Sequence, residues 1–213
     1  MFLKPNDHIL FYGDSITDWG RRHERLYNNY GMGKGFVAAI WTRMSAQHPE
    51  MNLKFSNRGI DGNRVSHLLE RFDDDVLALA PSVVSILVGV NDTGGRYATP
   101  SQPSPIPKFK DDYRRLLGQI VERLSARLII CEPFLLDFND LCRRMREDLN
   151  PRIDAVREVA REFKALYLPL DGLFAAACCR APVEYWTDDG VHPIPPGQGL
   201  IAQAWIDAVT SQG

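Results

Sequence analysis

The sequence lacks several features that would place it in other classes of protein. No apolar run approaches the roughly 20 residues that a bilayer-crossing helix needs, so we expect no membrane partner. The four cysteines do not follow a zinc-binding pattern, and a chain of 213 residues does not need a disulfide framework. We therefore expect reduced, buried thiols at Cys131, Cys142, Cys178 and Cys179.

A basic surface for nucleic acid is also missing. The formal net charge is −2, and an arginine cluster within residues 143–146 is followed at once by Glu147 and Asp148. Nucleic-acid binding needs a clustered basic face, whereas mixed charges are typical of a solvated helix, so we expect no nucleic-acid partner. Residues 1–7 show no basic stretch followed by an apolar one. No secretion signal is indicated there, and we expect a cytoplasmic location.

Apolar residues occur along the chain with two alternating periodicities. Short apolar runs typical of buried strands lie at 8–12, 53–56, 83–88, 128–131 and 166–168. Between them, apolar residues recur at helical spacing. This alternation predicts a single α/β domain over residues 1–213, with three layers (α/β/α) and a central parallel sheet of about five strands.

Three long segments are predicted to be loops. They are residues 18–35, the proline-rich segment 93–107, and 134–150, which could also hold a short helix. The pair Asn150 and Pro151 predicts the start of the following helix, with asparagine as the N-cap and proline in the first helical position. Loops of this length are often functional, so we expect these three to shape a binding pocket.

Small and polar residues follow the first three predicted strands and precede the last helix. These segments are 13–15, 57–63, 89–92 and 188–193. Each alone is typical of an ordinary turn. In open parallel sheets, however, ligands bind outside the carboxyl ends of the strands, and all four segments are predicted at that edge. Their joint occurrence predicts a functional site there.

The residue types in these segments fit nucleophilic catalysis. Ser15 could attack an ester carbonyl if a base removed its proton, and His192 could serve as that base. Asp189 is placed three residues before His192 and could accept a hydrogen bond from its ring. Asp188 is the competing candidate for this orienting role.

The attacked carbonyl develops an oxyanion, which needs hydrogen-bond donors. The backbone N–H groups of Ser15 and Gly62 and the side-chain amide of Asn91 are candidates. Candidate substrate contacts, which ordinary packing could explain about as well, are Asp14, Trp19, Tyr27, Tyr30 and Trp186. A metal bound by Asp14, Asp189 and His192 is a minor alternative, because no second histidine is nearby.

Taken together, the four segments resemble the SGNH hydrolases, also called the GDSL esterase/lipase family. That family is named for a serine, a glycine, an asparagine and a histidine in four blocks. Gly-Asp-Ser-Ile at 13–16 matches the first block, with isoleucine where leucine is usual. Gly62 matches the second block, Gly-Val-Asn-Asp at 89–92 the third, and Asp-Gly-Val-His-Pro at 189–193 the last.

The resemblance covers nearly the whole chain and is strongest to the intracellular SGNH acetylxylan esterases. It rests there on Gly-Asp-Ser-Ile-Thr-Asp at 13–18, the glycine-rich segment 31–36 and the overall length. It implies a flavodoxin-like SGNH hydrolase fold, removal of O-acetyl groups from xylo-oligosaccharides or other carbohydrates, and often a homo-oligomer. It also implies that no metal or organic cofactor takes part.

Two other functions are kept as alternatives. The same chemistry could serve a lysophospholipase, a thioesterase or a platelet-activating-factor-type acetylhydrolase. A non-enzymatic alternative is a flavodoxin-like binding module whose helix N-termini hold a phosphate or nucleotide.

Overall fold

The computed structural model describes residues 1–21, 31–93 and 102–211. Its centre is a sheet of five parallel strands in the order β2-β1-β3-β4-β5. The strands are β1 (His8–Gly13), β2 (Lys54–Gly59), β3 (Val83–Leu87), β4 (Arg127–Cys131) and β5 (Leu166–Leu168). After β2 the chain returns to the other side of β1, so the strand order reverses between β1 and β3. This is the flavodoxin-like order, and ligands bind at such a reversal.

Eight α-helices lie in the described part of the chain. They are α1 (Ser15–Asp18), α2 (Phe36–Gln47), α3 (Val65–Glu70), α4 (Phe72–Asp75), α5 (Ile106–Leu124), α6 (Asp140–Glu162), α7 (Leu170–Cys178) and α8 (Pro195–Thr210). Within residues 1–21, 31–93 and 102–211, no helix has the length and apolar character needed to cross a membrane.

Helices cover both faces of the sheet because neighbouring strand residues point to opposite sides. Ile9 and Phe11 of β1 pack into the core beneath α2 and α8. Leu10 and Tyr12 pack into a second core beneath α3 and α5. Burying each such side chain contributes about 1.5–3 kcal/mol. The three-layer α/β architecture predicted from the sequence is confirmed.

The predicted helix start at Asn150 and Pro151 is wrong. Helix α6 begins much earlier, after Asn139, whose side chain accepts a hydrogen bond from the N–H of Cys142 at 3.0 Å. It then continues through Pro151. An interior proline costs about 3 kcal/mol, and the apolar face that α6 buries on both sides of Pro151 offsets this. Most of the predicted loop 134–150 is therefore helical.

The prediction of buried thiols holds for two of the four cysteines. Cys131 and Cys142 are buried, Cys178 is half-buried and Cys179 is exposed, and all four are free. Cys179 is exposed because it caps the carboxyl end of α7 at the surface.

Candidate active site

The turn between β1 and α1 places Ser15 at the carboxyl edge of the sheet. Gly13 ends β1 so close to β3 that an added Cβ would lie 2.3 Å from the carbonyl oxygen of Leu87 and 2.5 Å from Oγ1 of Thr17. Segment 13–15 is typical of a turn, but the φ of Gly13 is not positive. Close approach of neighbouring atoms is therefore the reason for glycine here.

Ser15 meets His192 across the edge of the sheet. Ser15 is the first residue of α1, and His192 lies just before α8. Ser15 Oγ is 2.8 Å from His192 Nε2, a hydrogen-bond distance between groups 177 positions apart in the chain. In this contact the imidazole can accept the hydroxyl proton, as a general base must.

Asp189, and not Asp188, contacts the imidazole. Asp189 Oδ2 is 2.7 Å from His192 Nδ1. Its other oxygen, Oδ1, accepts hydrogen bonds from the backbone N–H groups of Val191 and His192, both at 2.7 Å. These bonds fix the carboxylate on one side of the ring, while Asp188 is exposed.

Thr187 is a structural member of this turn that sequence reasoning missed. It is fully buried. Its Oγ1 accepts from the N–H of Gly190 at 2.8 Å and donates to the carbonyl of His192 at 2.9 Å. A threonine directly before Asp-Asp-Gly is a signal for a hydroxyl-bonded turn and could have identified it.

The contact between His192 and Asp189 raises the pKa of the histidine and lowers that of the aspartate. Burial disfavours the charged form of His192, but the hydrogen bond and charge of Asp189 outweigh it and raise the pKa of His192 above 6.5. Burial also opposes ionisation of Asp189, but the hydrogen bonds from His192 and Val191 lower its pKa well below the usual range. The carboxylate therefore stays charged beside the ring.

Asp14, directly before Ser15, is buried, so its position does not support the prediction that it contacts substrate. Its side chain is 1% exposed, and it accepts a hydrogen bond from the N–H of Ile16 at 3.0 Å, capping α1. Burial raises its pKa to about 7. Asp14 therefore acts on the position of Ser15 through the helix start.

The candidate oxyanion donors lie on adjacent loops. Gly62, with φ +71°, sits in a turn from Ile60 to Asn63, and Ile60 donates its N–H to the carbonyl of Gly13 at 3.1 Å. Asn91 donates one amide hydrogen to the carbonyl of Asn63 at 3.1 Å. A side-chain amide has two hydrogens, so the second remains for a ligand.

A cleft of about 820 Å³ opens at Ser15 and His192. Its lining among the described residues consists of Ser15, Asp18, Trp19, Gly20, Lys34, Asp61, Asp188, Asp189 and His192. The Trp19 ring centre lies 5.9 Å from that of His192. The position of Trp19 is therefore compatible with the predicted substrate contact.

The other aromatic candidates are placed differently. Trp186 is not in the cleft lining: it is 8% exposed, packs into the core and donates to the carbonyl of Ala181 at 3.4 Å. The prediction that Trp186 contacts substrate is therefore not supported by its position. Tyr27 and Tyr30 lie outside the described residues.

The charge of His192 should set the pH dependence of any reaction at Ser15. A base must be neutral to accept a proton, and the raised pKa keeps His192 charged to a higher pH than a free histidine. We expect kcat/KM for p-nitrophenyl acetate to rise with pH through a midpoint above 6.5. A pH–rate profile corrected for spontaneous hydrolysis measures this, and a midpoint at or below 6.5 would contradict it.

Fold and site together define the class of protein. A hydroxyl, an imidazole and a carboxylate stand in hydrogen-bond contact at the strand-order reversal of a parallel α/β sheet. The family model for the GDSL-like lipase/acylhydrolase family matches residues 11–200, and the chain belongs to this family. It is a carboxylic ester hydrolase.

The chain is similar over nearly its whole length to known esterases and to a lipase-like protein. An acetylxylan esterase from Geobacillus stearothermophilus is 30% identical over 210 residues, which are 97% of this chain and 95% of that protein. A crystal structure of the acetylxylan esterase Axe2 from the same organism matches with a TM-score of 0.89 at 28% identity, covering 99% of this chain and 97% of that one. A candidate GDSL-like lipase from Parabacteroides merdae matches with a TM-score of 0.85 at 36% identity, covering 97% of each chain.

Proposed function

We propose that this protein is a serine esterase that removes acetyl groups from O-acetylated carbohydrates, with xylo-oligosaccharides as the first candidates. The observation that carries the proposal is the unbroken hydrogen-bond chain from Ser15 Oγ through His192 to Asp189. Solved variants of Axe2 that replace a serine, an aspartate and a histidine are described as catalytic mutants, which supports the same three residue types here.

Acylation begins when Ser15 Oγ attacks the ester carbonyl carbon and its proton passes to His192 Nε2. The negative carboxylate of Asp189 stabilises the imidazolium that forms and holds its Nδ1–H in place. The N–H groups of Ser15 and Gly62 and the second amide hydrogen of Asn91 stabilise the oxyanion. Ser15 is the first residue of α1, where backbone N–H groups have no partner within the helix.

Collapse of the tetrahedral intermediate breaks the bond to the sugar oxygen, which takes the proton from His192. Acetyl-Ser15 remains. Deacylation repeats the sequence with water: His192 removes a proton from water, the hydroxide attacks the acetyl carbon, and Ser15 leaves with the proton that His192 returns. The products are acetate and the free sugar hydroxyl.

The lining of the cleft supports a sugar rather than a lipid. Its open wall carries the charged side chains of Asp18, Lys34, Asp61 and Asp188, which can bond to hydroxyl groups. Trp19 offers a flat apolar face of the kind that stacks on a sugar ring. A long acyl chain would instead need a continuous apolar lining.

The proposal includes a cytoplasmic location. Its support is the four free thiols, among them the exposed Cys179, because reduced cysteines persist in reducing compartments.

An acyl-chain series tests the acetyl preference. We expect kcat/KM for p-nitrophenyl acetate to exceed that for the octanoate by at least about tenfold, because the described residues that line the cleft are mostly polar or charged and offer no continuous apolar channel for the added methylenes. Acetate release from acetylated xylo-oligosaccharides, other acetylated sugars and acetylated lipids then identifies the alcohol. A preference for chains of eight carbons or more would favour the lysophospholipase or thioesterase alternative.

An active-site label separates the esterase from the binding-module alternative. An organophosphonate should attach to Ser15, because activation by His192 is required for that reaction. Stabilisation by nucleotides without labelling of Ser15 would favour the binding module.

A further inference from the structure

The residue after Asn91 has a buried carboxylate that forms hydrogen bonds to two other segments of the chain. This residue, Asp92, is 2% exposed and lies in the single 3₁₀ turn Val90–Thr93. Its carboxylate accepts a hydrogen bond from the N–H of Val65 at 3.3 Å and one from the hydroxyl of Ser104 at 3.2 Å. Val65 begins α3, three residues after Gly62. Asp92 therefore links the loop of one oxyanion donor to the loop of the other.

A buried arginine on α6, Arg152, forms hydrogen bonds to the same two segments that the Asp92–Ser104 contact joins. The side chain of Arg152 is fully buried, and its Nη2 donates to the backbone carbonyls of Asp92 at 2.8 Å and Ser104 at 2.5 Å. The same nitrogen lies 3.1 Å from Asp148 Oδ2, and the guanidinium carbon is 5.3 Å from the ring centre of Phe109. One cation thus anchors the main chain on both sides of the loop that follows Asn91.

Stability alone does not account for a charge at this position. Burying an ion is costly, and replacing a buried ionic group by an apolar side chain of similar volume is often neutral or stabilising. Within the described residues, all the polar protein contacts of the Arg152 guanidinium are made by Nη2, and Nε and Nη1 bond to no protein group. A buried polar group that is incompletely bonded needs another reason to be there.

We propose that Arg152 is a positioning residue for the oxyanion hole, acting through Asp92 on Asn91; this rests on the proposed function of the site. By fixing the Asp92 carbonyl, Arg152 sets the path of the Val90–Thr93 turn and so the direction of the free amide hydrogen of Asn91. Donors must be aimed at the oxyanion of the transition state, where small displacements are expensive. Arg152 touches neither the substrate nor Ser15.

The test replaces Arg152 with methionine, which keeps an unbranched stem, although a shorter one, and removes the donors. We expect kcat for p-nitrophenyl acetate to fall about tenfold to a hundredfold, while KM changes by less than about threefold because ground-state binding does not use the oxyanion donors. Affinity for a trifluoromethyl ketone, whose adduct with Ser15 carries an oxyanion, should fall by a factor similar to that of kcat. Arg152→Lys, which retains one cationic donor group, should lose less kcat and less ketone affinity than Arg152→Met.

Arg127→Met is the matched control. Arg127 also bonds a backbone carbonyl, that of Phe2, and a buried carboxylate, Asp7, but it does so at the amino end of β4, on the edge opposite to Ser15. We expect Arg127→Met to melt at a lower temperature with kcat and ketone affinity unchanged when assayed below its melting transition.

The outcomes separate the two proposals. If the wild-type chain neither hydrolyses the ester nor binds the ketone, the proposed function fails and the role of Arg152 fails with it. If the wild-type chain is active and both Arg152 variants match it in kcat and ketone affinity, the positioning role alone is wrong. A fall in kcat without a fall in ketone affinity would also overturn it. If Arg152→Met does not fold, the test uses Arg152→Lys instead. We expect kcat and ketone affinity to fall about three- to tenfold in that variant.

Discussion

Replacing Ser15 with alanine should reduce ester hydrolysis by a factor on the order of 10⁶ in kcat, with the melting temperature nearly unchanged. The variant removes the atom that forms the acyl-enzyme, and no other hydroxyl contacts His192 Nε2 in the described residues. The fold should tolerate the change because Ser15 is only half-buried and alanine is the best helix former. Initial rates of p-nitrophenol release and a thermal melt measure both effects.

The chain contains its own control for this experiment. Ser56 Oγ lies 2.8 Å from His8 Nε2, the same distance as in the Ser15–His192 pair. Burial lowers the pKa of His8, aided by the positive charges of Lys54 and Arg58, whereas the pKa of His192 is raised. Neither Ser56, inside β2, nor His8, at the start of β1, is among the described residues that line the cleft. Ser56→Ala should therefore leave ester hydrolysis at the wild-type level. Undiminished activity in Ser15→Ala would refute the proposed mechanism.

The two serine–histidine pairs also show why the site could be predicted from the sequence. The sequence points to Ser15 and His192 because parallel strands bring their carboxyl ends, and the loops that follow, to one edge. That rule depends only on the order of strands and helices, which apolar periodicity reveals. Ser56 lies inside β2 and His8 at the start of β1, so neither is at the carboxyl end of a strand and the rule predicts no site there.

The features that sequence reasoning missed depend on contacts between distant segments. Arg152 is one charged residue among many on α6, and only its burial against the loop after Asn91 distinguishes it. Trp186 had the residue type and sequence position of a pocket wall, yet its ring faces the core. The continuation of α6 through Pro151 likewise reflects packing that overrides local preference.

The choice between two adjacent aspartates is the sharpest test of the site. Asp189→Asn should lower kcat by a factor of about 10⁴. An asparagine side chain can still accept from the N–H groups of Val191 and His192, so the turn should persist. It no longer carries the negative charge that stabilises the imidazolium, and its amide can hold the ring in the tautomer that cannot accept a proton from Ser15. Asp188→Asn is the matched control and should change kcat for p-nitrophenyl acetate by less than about threefold, since Asp188 is exposed and this substrate has no sugar hydroxyl for it to bond.

The residual activity of Asp189→Asn should show a second signature in its pH profile. The hydrogen bond and charge of Asp189 are the main causes that raise the pKa of His192, whereas burial lowers it. Without the carboxylate, burial dominates, so the acid limb of kcat/KM should move to lower pH than in the wild-type chain. The depressed pKa of Asp189 stabilises the wild-type fold above the unfolded pKa of about 3.9, and this stabilisation is lost as the pH falls. Asp189→Asn lacks it at every pH, so its free energy of unfolding should be lower than that of the wild-type chain near neutral pH. A large loss in Asp188→Asn with a small one in Asp189→Asn would reverse the assignment, and an unshifted acid limb would show that His192 is not the group that titrates.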